Sequence, residues 1–198
     1  MTVQINYKDS FSKQNSSNLV LFVDEKFGIS SLKKHIKNTE FSFISEILKG
    51  RDLKEKILTF DITSKRKIIL ISLKKYLSSS EVENLGAKFY NLFKGFNLNE
   101  CVINSDSISI KLKNCIGYFL HGIKLKSYKF DKYKTKKNIK NISLIVIGKN
   151  KPSHKDQMKF KAIEDGTYYT RDLVSEPGNI LHPDEYAKRL NSLRKYGL

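Results

Sequence analysis

Ile142–Ile147 reads ISLIVI, apolar apart from Ser143 and closed by Gly148. Six residues are too few for a helix, and the run lacks the polar–apolar alternation of a strand with one wet side. It suits an interior strand of a sheet covered on both faces. A sheet of that kind needs amphipathic helices from elsewhere in the chain, so this segment constrains the remaining elements. Leu19–Val23 (LVLFV) is a second buried strand by the same reasoning. Lys56–Ile62 and Lys67–Leu73 are β-rich and joined by the polar Thr63–Arg66, as in a hairpin or a pair of adjacent strands. Two further short strands are expected at Cys101–Ile103 and Ser107–Leu112.

The covering helices have their own signatures. Phe41, Ile44, Ile47 and Leu48 recur at three and four residues before Gly50, which predicts a helix over Phe41–Leu48. Ser80, followed by Glu81, Val82 and Glu83, reads as a capping box. The helix it opens carries Val82, Leu85, Phe89, Leu92 and Phe93 on one stripe and closes at Gly95. Ile116–Leu125 is apolar enough for a third helix despite Gly117 and Gly122. The resulting alternation predicts an α/β fold in three layers, a mixed sheet with helices on both faces.

The polar stretch Lys149–Lys155, punctuated by Pro152 and Ser153, is the expected domain boundary, placing one domain at 1–150 and a second unit at 151–198. A linker helix is expected from Asp156 to Val174. Another starts at Pro183, with Asp184 and Glu185 favourable to its dipole, and extends to Lys195. Gly197 would ordinarily turn the chain into a next strand, so the second unit reads as incomplete.

Composition narrows the function classes. At 198 residues with 39% hydrophobic content, the chain can bury a core. It has no apolar run of about 18 residues and no signal-peptide core at MTVQINYKDSFSK, which predicts a cytoplasmic protein without a membrane partner. Cys101 and Cys115 form no short Cys-x-x-Cys pair and read as buried reduced thiols. His35, His121, His154 and His182 are isolated, outside any metal-ligand spacing. The net charge of +17 raises the question of nucleic acid, but Lys, Asn and Ile are abundant together throughout, so it reads first as solvated surface.

One basic tract also contains aromatics. Lys124, Lys126, Lys129, Lys132, Lys134, Lys136 and Lys137 are interleaved with Tyr128, Phe130 and Tyr133, the residue types of a surface that tracks phosphates and stacks bases. These seven lysines are the candidate nucleic-acid-binding residues, with DNA the possible partner. No phosphate-cradling Gly-rich loop accompanies them.

Two segments carry a family resemblance. Phe119–Lys136, FLHGIKLKSYKFDKYKTK, is similar to a signature helix end of the leucyl (cytosol) aminopeptidase family. Thr170–Pro183, TRDLVSEPGNILHP, resembles that family's Arg-Asp-Leu-Val-Asn-Glu-Pro-x-Asn segment and the Thr-Pro helix start after it. Ser175, Lys126 and His182 depart from the pattern, and His182 caps a helix less well than Thr, by about 1 kcal/mol. The resemblance implies an N-terminal α/β domain of macro-domain-like topology, the start of a larger peptidase domain, and assembly into a homo-hexamer.

It also implies hydrolysis of N-terminal residues from peptides by two divalent metals, zinc or manganese, which polarise the carbonyl and activate a bridging water. The family's ligand motifs, built around Val-Gly-Lys-Gly and Asn-Thr-Asp-Ala-Glu-Gly-Arg, do not occur in this sequence. No catalytic, cofactor-binding or metal-binding residue is therefore assigned, and the remainder of the catalytic domain is the expected partner. Gly148-Lys149-Asn150-Lys151 is given no catalytic role. Within the resemblance, Arg171, Asp172, Glu176 and Asn179 are expected to hold the linker against the catalytic domain.

Overall fold

The computed structural model describes residues 2–9, 18–96, 99–109, 112–135 and 141–197. Its six strands are β1 (Thr2–Tyr7), β2 (Asn18–Asp24), β3 (Ile57–Thr63), β4 (Arg66–Leu73), β5 (Glu100–Asn104) and β6 (Asn141–Ile147). They form one sheet in the order β1-β6-β5-β2-β4-β3. β3 joins β4 as an antiparallel hairpin, and the other four pairings are parallel. The helices are α1 (Asn38–Lys49), α2 (Ser79–Gly95), α3 (Cys115–Ser127), α4 (His154–Ser175) and α5 (Pro183–Asn191), with 3₁₀ turns at Ser30–Lys34, Ser105–Ser107 and Ser192–Tyr196.

The continuous apolar runs follow from burial on both faces. Along β2, Leu19, Leu21 and Val23 point into one core with Leu32, Ile36 and Ile44 of the α1 layer, while Val20 and Phe22 enter a second core under α2 and α3. β4 divides likewise, with Ile68 and Leu70 on the first side and Ile69, Ile71 and Leu73 on the second. In β6, Ile145 faces α1, whereas Ile142, Leu144 and Val146 face α2 and α3. Alternation is absent because no face of these strands is left to water.

Glycines set the closeness of the helical layer. Gly86 of α2 lies against the backbone of Phe119, and Gly122 of α3 against the backbone of Glu83. The two glycines that weakened the helix reading at 116–125 are therefore contact points. Gly122 admits α2, and Gly117 admits the ring of Phe160 from α4.

Three sequence expectations change. Ser78, not Ser80, caps α2: its Oγ accepts from the Glu81 amide at 3.3 Å while Glu81 Oε2 accepts from the Ser78 amide at 2.9 Å. A capping box needs the acid three residues after the cap, and Ser78 satisfies that spacing. The strand expected at Ser107–Leu112 is replaced at its start by the 3₁₀ turn, because Asn104 Oδ1 accepts from the Asp106 amide at 2.9 Å and bends the chain. Residues 110 and 111 lie outside the described residues. Finally, β1 was not foreseen. TVQINY carries too few apolar residues to declare itself, and it forms by pairing in parallel with β6.

Candidate functional site

α3 ends at Ser127, and its last carbonyls lack backbone donors within the helix, although that of Lys124 accepts from the Ser127 hydroxyl at 2.8 Å. α4 supplies them from the next layer. Tyr168 donates its hydroxyl to the Lys124 carbonyl at 2.5 Å, and Arg171 Nη1 donates to the Leu125 carbonyl at 2.6 Å. A guanidinium at a helix C-terminus also complements the dipole. Further along α3, Phe160 packs edge-on against Tyr118, with centroids 5.3 Å apart, and against His121 at 5.5 Å. Phe160, Glu164, Tyr168 and Arg171 recur at four, four and three residues, so they form one face of α4, the face laid on α3.

The segment after α3 folds back onto the same helix. The Tyr128 hydroxyl donates to Asp172 Oδ1 at 2.6 Å, and its ring lies 5.2 Å from that of Tyr168. Lys132 Nζ, 2.5 Å away, and the Tyr133 hydroxyl both donate to Glu176. Arg189 of α5 donates to the same carboxylate at 3.0 Å, and its backbone carbonyl accepts from Tyr169. The Glu176 side chain is 1% exposed beneath these partners. Hydrogen bonds from Lys132, Tyr133 and Arg189 hold its carboxyl down at about 2. The carboxylate thus fastens the elbow between α4 and α5 to residues 132 and 133.

Under α4 lies a buried polar set. His121 Nδ1 is 2.9 Å from Glu83 Oε1. Burial raises the Glu164 carboxyl above its usual range even though Lys124 and His121 stand nearby, and it pushes Tyr7 up to about 12, with Glu164 adding to the rise. His121 is buried and Glu83, Glu164 and Tyr7 are half-buried where β1, α2, α3 and α4 meet.

The sequence-nominated residues separate here. Lys124 turns inward, its Nζ donating to the Val3 carbonyl of the edge strand β1 at 2.6 Å, and Lys132 is engaged with Glu176. Lys126, Lys129 and Lys134 are exposed. Lys136 and Lys137 lie outside the described residues. The interleaved aromatics are occupied by packing: Tyr128 on Tyr168, and Phe130 against Tyr133 at 5.8 Å. Of the residues expected to hold the linker against the catalytic domain, Arg171 and Asp172 bond to Leu125 and Tyr128, and Glu176 bonds both to Lys132 and Tyr133 and to Arg189 of α5. Phe160, Tyr168 and Arg189 were missed in the sequence, although the helical spacing of the first two would have marked the docking face.

Among the described residues no group of three or more His, Cys, Asp or Glu could hold a metal ion. His35 meets Asn104, His121 meets Glu83, and His154 and His182 stand at the starts of two different helices. The described residues do not fit a two-metal centre. Among them no helix is long and apolar enough to cross a membrane.

No protein-family model matches the chain. A probable cytosol aminopeptidase from a Bradyrhizobium species is 38% identical over 82 residues, 39% of this chain and 16% of that relative. One from Nitrobacter winogradskyi is 27% identical over 205 aligned residues, covering 95% of this chain and 40% of the relative. The chain thus spans less than half the length of the curated relatives it matches. Among solved structures, a mutant of tomato leucine aminopeptidase superposes with a TM-score of 0.74 at 18% identity, covering 98% of this chain and 42% of that one, which is a likeness of fold.

Proposed function

This chain belongs to the leucyl (cytosol) aminopeptidase family, and on that premise we propose that it is the N-terminal, non-catalytic portion of a cytoplasmic metal-dependent aminopeptidase. In this reading residues 1–150 are a scaffold and assembly domain. Residues 151–198 are the linker helix and the start of the peptidase domain. The remainder of that domain is the partner, within a homo-hexamer. Two divalent metals, zinc or manganese, would belong to that remainder and supply its Lewis acid and activated water.

One observation carries the reading. α4 and α5 are clasped to the first unit by Tyr128, Lys132 and Tyr133, yet neither helix contains a buried residue. Every earlier α-helix has its own buried side. An arm fixed in direction but left uncovered is suited to receiving a further layer.

The test is hydrolysis of a leucyl amide by this chain with added zinc or manganese. No turnover is expected, and clear turnover would overturn the proposal that its catalytic groups lie elsewhere. A second reading, a stand-alone basic nucleic-acid-binding module derived from the family, is supported by the exposure of Lys126, Lys129 and Lys134 in one short stretch. Fluorescence anisotropy with duplex DNA at physiological salt decides it: binding supports the module, and its absence leaves those lysines as solvated charge.

A further inference from the structure

Glu164 occupies the middle of the face that α4 lays on α3, one turn beyond Phe160 and one turn before Tyr168. Its neighbours on that face are a packed ring and a hydroxyl committed to the Lys124 carbonyl. Among the described residues Glu164 itself makes no hydrogen bond or ion pair. A half-buried carboxylate in such a joint costs free energy unless it receives a donor or a proton.

Few groups face it. β1 presents Tyr7, α2 presents Glu83 and Tyr90, α3 presents His121 and Lys124, and α4 itself carries Lys161, Asp165 and Tyr168. The two lysines are engaged elsewhere: Lys124 donates to the Val3 carbonyl, and Lys161 pairs with Asp165 at 3.1 Å on the exposed side. Burial raises all three tyrosines above their ordinary range, so they keep their protons. His121 is different. Its Nδ1 is 2.9 Å from Glu83 Oε1, its side chain is 7% exposed, and its Nε2 is buried without a hydrogen-bond partner among the described residues. The ring of Phe160 packs on it at 5.5 Å, and the charge of Glu164, one turn along, is felt there.

An imidazole nitrogen without a partner and a carboxyl without a donor thus lie in one joint, and one proton satisfies both. With Nδ1–H donating to Glu83, Nε2 is an acceptor, and a protonated Glu164 is the donor it lacks. If the proton sits on Nε2 instead, Glu164 accepts, and the titration belongs to the pair. We propose that α4 is held on the first unit by a proton-operated joint, in which one proton shared between His121 and Glu164 completes a chain Glu83–His121–Glu164 across α2, α3 and α4. The proton comes from solvent and returns to it. This inference uses only the seating of α4 and is independent of the aminopeptidase reading.

The sense of the pH dependence follows from burial, which raises the Glu164 carboxyl above its ordinary 4.5 against the opposing effect of Lys124 and His121. A carboxyl raised in the docked state contributes fully below about pH 4.5, and its contribution is lost as pH rises through the raised value. Glu176, at the end of α4, has the opposite sense, because its carboxyl is held at about 2. Acid therefore tightens the middle of α4 and loosens its end.

Hydrogen exchange in α4 of the full chain, corrected for intrinsic rates, tests the joint between about pH 4.5 and 8.5, where Glu176 stays ionised. Protection should fall as pH rises, by at most about tenfold per pH unit, the limit for one proton. In protein labelled with nitrogen-15 at histidine, the Nε2 resonance of His121 should titrate where that fall levels off, since both report the same proton. Glu164→Gln supplies a donor at every pH, so α4 protection should be level and exceed the parent's at the alkaline end. Asp165→Asn, at the exposed neighbouring carboxyl, should leave the fall unchanged. Level protection in the parent, a fall retained in Glu164→Gln or abolished in Asp165→Asn, or a His121 titration unaltered by Glu164→Gln would each overturn the proposal.

Discussion

Gly122→Ala tests the tightest packing in the fold. A Cβ there would stand 1.9 Å from the carbonyl oxygen of Glu83, 2.6 Å from its carbonyl carbon and 2.8 Å from its Cα, all α2 backbone atoms, so no side chain can swing aside. Carbon atoms in contact settle about 3.5–4.0 Å apart, so α2 and α3 must separate by about 1 Å. A gap of that size forfeits roughly a quarter to a half of the dispersion energy of the atoms across it. Val82, Leu85 and Phe89 of α2, and Phe119, Leu120 and Ile123 of α3, all 3% exposed or less, line this layer.

Overpacking a core costs about 1–3 kcal/mol, and rigid backbone at the contact places this case near 3. The better helix propensity of alanine offsets about 1, leaving a net loss of about 2 kcal/mol. Urea unfolding at pH 7 measures it, with Gly166→Ala in parallel. Gly166 lies inside α4 with nothing within 4 Å of a built Cβ, so the same change there should be neutral or stabilise by up to about 1 kcal/mol. A Gly122→Ala protein as stable as the parent, or matching Gly166→Ala, would refute the close-approach argument.

Other expectations follow from single contacts. Glu176 titrates at about 2 in the fold against an ordinary 4.5, so the clasp is fully held above about pH 4.5 and loosens as pH falls toward 2. Hydrogen exchange in α5 should rise over that window in the parent, and a Glu176→Gln variant that retained the same pH step would contradict the assignment. His182 caps α5 without a side-chain hydrogen bond, so His182→Thr should stabilise by about 1 kcal/mol in thermal unfolding, and no gain would show that the cap is already satisfied. Burial raises the Cys101 thiol far above its usual range and pushes Cys115 up to about 12. Both should resist a neutral-pH thiol reagent until the chain is unfolded, and rapid labelling of the native protein would place them nearer the surface.

Much of the fold is written locally. β2, β4 and β6 declare themselves because both of their faces are apolar, and α2 because its stripe repeats at helical spacing. Short-range pattern is sufficient wherever one element's own burial sets its composition. β1 escaped because an edge strand needs only a partner's backbone. The turn before Ser107 rests on a local bond, Asn104 Oδ1 accepting from the Asp106 amide, and on a distant one that no local pattern contains, Ser107 Oγ accepting from the Phe22 amide at 2.8 Å, 85 residues away.

The candidate site divides in the same way. The sequence by itself identified the segments at 119–136 and 170–183 and the aromatic–lysine tract, because residue type is a local property. Tertiary structure alone decided what those residues do. Lys124 and Lys132 are bound to the Val3 carbonyl and to Glu176, and Arg171 serves the open end of α3. It also brought Glu83, His121 and Glu164, from three different helices, into one joint. Helices meet along faces set by the packing of their layers, and the sequence does not record which faces become neighbours until the sheet has ordered them.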